Sequence, residues 1–544
     1  MKRLFAMLMA VVMAVGLLAA CGPSELAPAE PGGPAPVHVT PAPAATPAPA
    51  PAAAPGAGED VPLVRQESSR DIIHIQTASD PGDFSPTGSV AVPAMRLRRQ
   101  IFEPLVDLNL STGELMPVLA ESWSLEDDTW TFNLRQGVTF HDGSPFTAYD
   151  AMYSLQLAES AATIRRFVES FDTENIRVVD RYTLEVPMSM PSIQALVDLN
   201  GVAMVNEALH TADPEMLIGT GSYMFHDWVL GSSITLIRFE DHWSGPAPIE
   251  TVVFRIIPEP AQRIIELELG GVDLILDLAA IDVPRLQADP RFEVLPFLGF
   301  RSMGFQFNMH ESRVTSNRDL RHAIAYAIEK EGINHAIFGN LAKPSVAPVG
   351  EMYIDFNPEW ATWANNYFQF NLDNARAAME RSGVPQGTEI IIMSNDNPAW
   401  VSLAEILQAQ LGQIGLNVRI NIYESAVFEE HARNPQYNWD IQLRDQSNPV
   451  GMTISKMYSH FRSAGTNRSY FHNDEFDDLV TRGMVEADDA VRAEMADRLI
   501  EIMLDELPGY MIVQMSEPFA WHADLMNFSV WSRSHVLVEH LYFR

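Results

Sequence analysis

Residues 119–155 read LAESWSLEDDTWTFNLRQGVTFHDGSPFTAYDAMYSL. Within it Trp130, Phe132 and Leu134 alternate with Thr131, Asn133 and Arg135, which is the period of a strand with one apolar face. Asp142-Gly143 then supplies turn chemistry. His141-Asp142 invites a catalytic reading, but the pair stands beside a turn glycine after a strand, and a structural role is expected. The run Glu126-Asp127-Asp128, like Asp477-Asp478 further on, reads as solvated surface in a chain with 71 acidic residues. Trp123 and Trp130 are expected in a core.

Outward from this stretch, helix and strand signals interleave. In SLAEILQAQLGQIGLNVRINIY, Leu403, Ile406, Leu407, Leu411 and Ile414 stand at helical spacing up to a break near Gly415. Val418, Ile420 and Ile422 then alternate with polar residues, as in a strand. NRDLRHAIAYAIEKEGI and NLDNARAAMERSGV have helical character, the second with Asp373 expected to cap its start and Gly383 its end. Alternating helices and strands favour an α/β fold with right-handed crossovers.

The composition narrows function. Formal net charge is −35, from 71 acidic and 36 basic residues, with 47% hydrophobic residues. A surface this acidic argues against nucleic acid, whose phosphates reward dense Lys and Arg. None of the four lysines (Lys2, Lys330, Lys343, Lys456) follows a glycine, so no Walker A loop is present. HESRV at His310 has Val314 where a zincin helix needs its second His, and GSSIT at Gly231 has Thr235 where a nucleophile elbow needs glycine. The scattered histidines show no zinc-ligand spacing, and no metal or other cofactor is expected. A carboxylate pair of a secreted acidic hydrolase is the enzyme alternative.

The N-terminus carries its own signals. Lys2 and Arg3 precede an uncharged run from Leu4 to Ala20, the pattern of a secretory signal peptide. A retained transmembrane helix is the alternative, since about 17 residues just span a bilayer. Leu18-Ala19-Ala20-Cys21 resembles the lipobox of bacterial lipoproteins, which implies cleavage before Cys21, the chain's single cysteine, and acylation of its thiol and new amine. Several acyl chains on one residue make a stable membrane anchor. Residues 21–67 are rich in Pro, Ala and Gly and read as a semi-rigid tether. About 480 residues remain for a folded body of two or three domains or two large lobes.

Several stretches together bear a wider resemblance. Residues 119–155, GTGSYMF from Gly219, FQFNMHESRVTSNRDLRHAIAYAIEKEGI from Phe305, NLDNARAAMERSGV and QAQLGQIGLNV follow the order of motifs in the family 5 solute-binding proteins of bacterial ABC importers. The resemblance runs from about Asp71 to Phe528, nearly the whole body. It implies a two-lobed type II periplasmic-binding-protein fold, α/β, with a hinge between the lobes and an extra subdomain in the first lobe. Residues 68–300 are expected to form lobe 1, rejoined by 515–544, and residues 301–514 lobe 2. The partners implied are a small solute held in the interlobe cleft, foremost a short peptide, a membrane permease, and ATPase subunits on other chains. Non-peptide solutes such as an oligosaccharide or an opine remain as alternatives within the family.

The informative loop is WDIQLRDQSNPVG. Peptide-binding members carry an aspartate four residues before a proline, where it pairs with the peptide's α-ammonium group; Asp445 stands four residues before Pro449. An enclosed ammonium needs such a partner, because its desolvation is otherwise too costly. The alternative is an Asp445 that only caps its own loop. Arg444 stands where peptide binders usually have a small residue, and Asn448 replaces a typical acidic one. Arg444 would either contact a ligand carboxylate or bridge to Asp445 and neutralise it. Ser447 and Asn448 join the expected ligand-binding set, as does Met303, on the strand expected to enter lobe 2 along the cleft floor. For Met303, ordinary core packing is the alternative. The lipobox reading is testable: Cys21→Ala should block lipidation and leave unprocessed precursor, whereas a mature, membrane-held variant in a cell-fractionation assay would refute the anchor.

Overall fold

Alternating apolar residues build one long sheet through the molecule. The computed structural model describes residues 67–109, 114–190, 192–353, 355–434, 438–447, 451–464, 467–486, 488–531 and 536–544. In chain order the strands are β1 (Ile72–Thr77), β2 (Tyr223–Val229), β3 (Ser233–Arg238), β4 (Thr251–Ile256), β5 (Leu274–Ile275), β6 (Phe292–Phe307), β7 (Lys343–Pro344), β8 (Glu389–Asn395), β9 (Asn417–Tyr423), β10 (Ile441–Ser447) and β11 (Gly509–His522). Their spatial order is β9-β8-β10-β6-β11-β5-β1-β4-β3-β2, with β7 added to β11. Pairing is parallel between β1 and β4, β1 and β5, β8 and β9, and β8 and β10. The paired strands β6, β10 and β11 run antiparallel.

The core divides where β6 and β11 cross. Phe300, Met303, Phe305 and Phe307 of β6 join Tyr510, Ile512 and Val513 of β11 in a core with Ile324, Leu407 and Ile441. Phe519, further along β11, belongs instead to a core with Ile73, Leu236 and Val252. Burying each such side chain contributes roughly 1.5–3 kcal/mol. Between the two, the β6–β11 register shifts from Leu298 to Ser302. A shift of register strands backbone groups, and here a side chain takes one up: Gln514 donates from Nε2 to the Gly299 carbonyl at 2.9 Å and accepts the Glu351 N–H at 3.2 Å.

A third core, with Phe132, Leu134, Phe140, Phe146 and Leu155, lies under a separate four-stranded antiparallel sheet and the helix Ala148–Ser160. Strands Ala120–Glu126 and Thr129–Leu134 form a hairpin whose two turn residues, Asp127 and Asp128, have φ of 47° and 58°. Positive φ at both positions suits the tight, twisted hairpin turns that Asp tolerates, so the acidic run is turn chemistry. Trp123 and Trp130 pack partly buried against this core. His141 is structural as well. Gly219 N–H donates to its Nδ1, its Nε2 donates to the Gly221 carbonyl at 2.8 Å, and burial pushes its pKa down to about 4. The two glycines lie so close to the helix Val92–Ile101 that a Cβ would run into the Ile101 and Gln100 carbonyls.

NRDLRHAIAYAIEKEGI is helical as expected, in two helices, Arg318–Tyr326 and Lys330–Phe338, the second started by Glu329, which accepts the Gly332 N–H. One local expectation needs correction. The helix Leu372–Ser382 is capped at its start by Asn371, whose side chain accepts the N–H groups of Asp373 and Asn374, and not by Asp373. Gly383 does end it, at φ 66°. The helix Pro398–Gly412 and strand β9 follow the expected pattern, with Gly415 between them at φ 83°.

Lys456 is fully buried, its Nζ donating to the Pro348 carbonyl at 2.9 Å, and burial pushes its pKa down to about 7. In the unfolded chain a lysine titrates near about 10.4. Between these values the unfolded state binds one proton more, so stability rises with pH from about 7 to about 10, by up to about 1.4 kcal/mol per unit. Urea melts of wild type and Lys456→Met at pH 7 to 9 should show a smaller slope in the variant and greater stability near pH 7; parallel pH profiles would reject the assignment.

Candidate functional site

β10 is buried along most of its length, with Ile441, Gln442 and Leu443 at 0% exposure, and its polar chemistry emerges at its C-terminal end. Asp440, just before it, is tied down by the Ile391 N–H at 2.8 Å and by Arg313 at 2.7 Å, which fixes the strand between its neighbours. Pairing with β6 sets Met303 opposite Asp445, Gly304 opposite Arg444 and Arg301 opposite Ser447. Side chains alternate along a strand, so Arg301, Met303 and Asp445 share one face and Arg444 lies on the other.

The partners follow from that geometry. Arg301 donates from Nε and Nη2 to Asp445 Oδ2, at 3.0 and 2.8 Å. Both side chains are accessible, at 51% and 41%. Asp445 Oδ1 has no hydrogen-bond partner among the described residues. Arg444 does not bridge to Asp445, because it points to the opposite face. It donates instead to Glu429 at 3.2 Å and to Gln442 at 3.3 Å, and Arg468 reaches the other Glu429 oxygen at 2.7 Å. Burial lowers the Arg444 pKa, with Glu429 opposing the shift. Met303 is only 2% exposed and packs in the core. The backbone of Ser447 closes β10, whereas Asn448, Pro449 and Cys21 lie outside the described residues.

Two features here have no sequence-level warning. The first is Arg301, which lies 144 residues from Asp445 and has no local pattern to mark it. The second is His460, half-buried on the helix Thr453–Phe461 that follows the loop. Burial and the Lys456 charge push its pKa down to about 4, with Arg444 adding to the shift and Asp445 opposing it. It is a neutral imidazole beside a charged cluster.

Met452, just before the helix Thr453–Phe461, packs against Leu108 and Val197. Nearby, the Ile193 N–H donates to the Met484 carbonyl at 3.0 Å. Gly451 has φ 66°, and a Cβ there would stand 2.8 Å from the Phe300 ring. The polar end of β10 thus presents both guanidinium and carboxylate groups, those of Arg301, Arg444 and Asp445.

Comparison with known proteins agrees with this architecture. Residues 114–468 match the family model "Bacterial extracellular solute-binding proteins, family 5 Middle". The chain is 24% identical over 488 residues to heme-binding protein A of Haemophilus influenzae, covering 81% of this chain and 87% of that protein. It is 22% identical to the dipeptide-binding protein of Escherichia coli, covering 76% and 83%. The solved structure of HbpA2 from Haemophilus parasuis superposes with a TM-score of 0.78 at 22% identity, over 87% of this chain and all of that one. The chain is therefore a two-lobed, extracytoplasmic member of family 5 of the bacterial solute-binding proteins, the substrate-binding components of ABC importers, and not an enzyme.

Proposed function

We propose that this receptor captures short peptides by their free N-terminus, with Asp445 receiving the ammonium group. The observation that carries the reading is the half-exposed Asp445 carboxylate at the open end of β10, with Oδ1 free of partners among the described residues. Relatives named for dipeptide and di/tripeptide binding add support. Lobe 1 comprises 68–300 with 515–544, and lobe 2 comprises 301–514; the register break in β6 between Leu298 and Ser302 supports a hinge there. Cys21 carries the lipid, residues 21–67 tether the body to the membrane, and the loaded receptor hands its solute to a permease driven by ATPase subunits on other chains. Tethering keeps the receptor near its permease at high effective concentration.

A second reading is favoured by the local charge. Three guanidinium groups, Arg301, Arg444 and Arg468, gather around the loop, which suits a carboxylate-rich solute such as an opine. One solved neighbour is described as a complex with agropinic acid.

Equilibrium dialysis against an equimolar pool of random tripeptides, read by mass spectrometry, separates these readings. Peptides with free N-termini should be retained and their N-acetylated forms should not. Asp445→Ala should weaken binding by at least about 30-fold, the effect of removing one partner of an enclosed charge pair, with an unchanged melting temperature. Equal retention of the acetylated pool, or full affinity in the variant, would rule out the ammonium site and favour the carboxylate-rich solute.

A further inference from the structure

The Asp445 carboxylate already holds a cation, and that cation belongs to the receptor. Arg301 and Phe300 are consecutive residues of β6, at the register break between Leu298 and Ser302. Their side chains go to opposite ends of the same loop. Arg301 binds Asp445, before the loop, and the Phe300 ring lies against Gly451, after it. β-Pairing does not demand the ion pair: the Arg301 backbone is registered with Ser447, and its side chain reaches diagonally to Asp445. At 51% and 41% exposure the pair is open to water and screened by salt. A ligand ammonium enclosed in a closing cleft is screened far less.

We infer that Arg301 is a resident stand-in for the ligand's cationic end. It occupies Asp445 in the empty receptor, is displaced by the arriving ammonium, and so sets affinity and its dependence on salt. This rests on the reading of Asp445 as the ammonium site. The chemistry gives such a residue a purpose. In a protein of net charge −35, a bare carboxylate at an open cleft attracts any small cation. A tethered guanidinium keeps that carboxylate neutralised, and only a cation whose remaining groups also fit the cleft displaces it.

Salt dependence is the readout that a purely structural Arg301 would not move. In wild type, binding exchanges one ion pair for another, so affinity for the tripeptide pool should change little with ionic strength. In Arg301→Met, binding neutralises a free carboxylate. Equilibrium dialysis should then show affinity about 2- to 5-fold tighter at low salt, the range of exposed ion pairs, and this gain should disappear as the salt rises to several hundred millimolar. Arg301→Gln should behave alike and serves as the second replacement if methionine disturbs the hinge. Weaker binding in both variants would make Arg301 a direct ligand contact and overturn the stand-in. Affinity and salt dependence identical to wild type would overturn it too. Either result, with Asp445→Ala still defective, leaves the ammonium reading intact; wild-type affinity in Asp445→Ala sinks both.

Discussion

Two antiparallel strands, β6 and β11, send side chains into both hydrophobic cores and so tie them together. Along β6 the buried side chains change allegiance from one hydrophobic core to another, and β11 does the same in the opposite direction. A ladder that kept perfect register through this crossing would weld the two bodies into one rigid sheet. The break near Gly299 interrupts it, and Gln514 takes over the orphaned carbonyl with a side-chain hydrogen bond. A side-chain amide tolerates rotation better than a ladder of backbone bonds, because its own torsions adjust. The crossing is thereby both satisfied and compliant.

Charge is distributed in layers around that crossing. The chain is strongly acidic, yet buried ionic groups near the core with Ile324, Leu407 and Ile441 include arginines that each meet several acceptors. Arg321 donates to the Thr315, Ser316 and Glu506 carbonyls, and Arg313 holds Asp440. Planar guanidinium groups satisfy several acceptors at once, which offsets part of their desolvation. Burial still pushes the Arg321 pKa down to about 10, and it pushes that of Lys456, with a single carbonyl acceptor, down to about 7. Around the β10 loop the same preference gathers Arg301, Arg444 and Arg468 with the carboxylates of Asp445, Glu429 and Asp355, so acids and guanidinium groups balance there.

Much of the fold was legible because its signals are local. The alternation in 129–134, the helix-to-strand switch around Gly415 and the stop at Gly383 all rest on residues within a few positions of one another. The error was of the same local kind: Asn371, two residues ahead of Asp373, is equally suited to capping, and it is Asn371 that accepts the first N–H groups. The site was legible only in part. The strand alternation that set Trp130 and Phe132 on one face also separates Arg444 from Asp445, so the partner of Asp445 had to come from another strand. Nothing in the sequence around Arg301 marks it, because its role is created by the β6–β10 register across 144 residues.

That register has a mechanical consequence. Phe300 and Arg301 sit at the break in the β6–β11 register, and their side chains meet Gly451 and Asp445. The residue paired with the Asp445 carboxylate is thus covalently adjacent to the one whose ring lies against Gly451. One short segment of β6 therefore meets the chain on both sides of the turn that follows β10, through a charge on one side and an aromatic ring on the other.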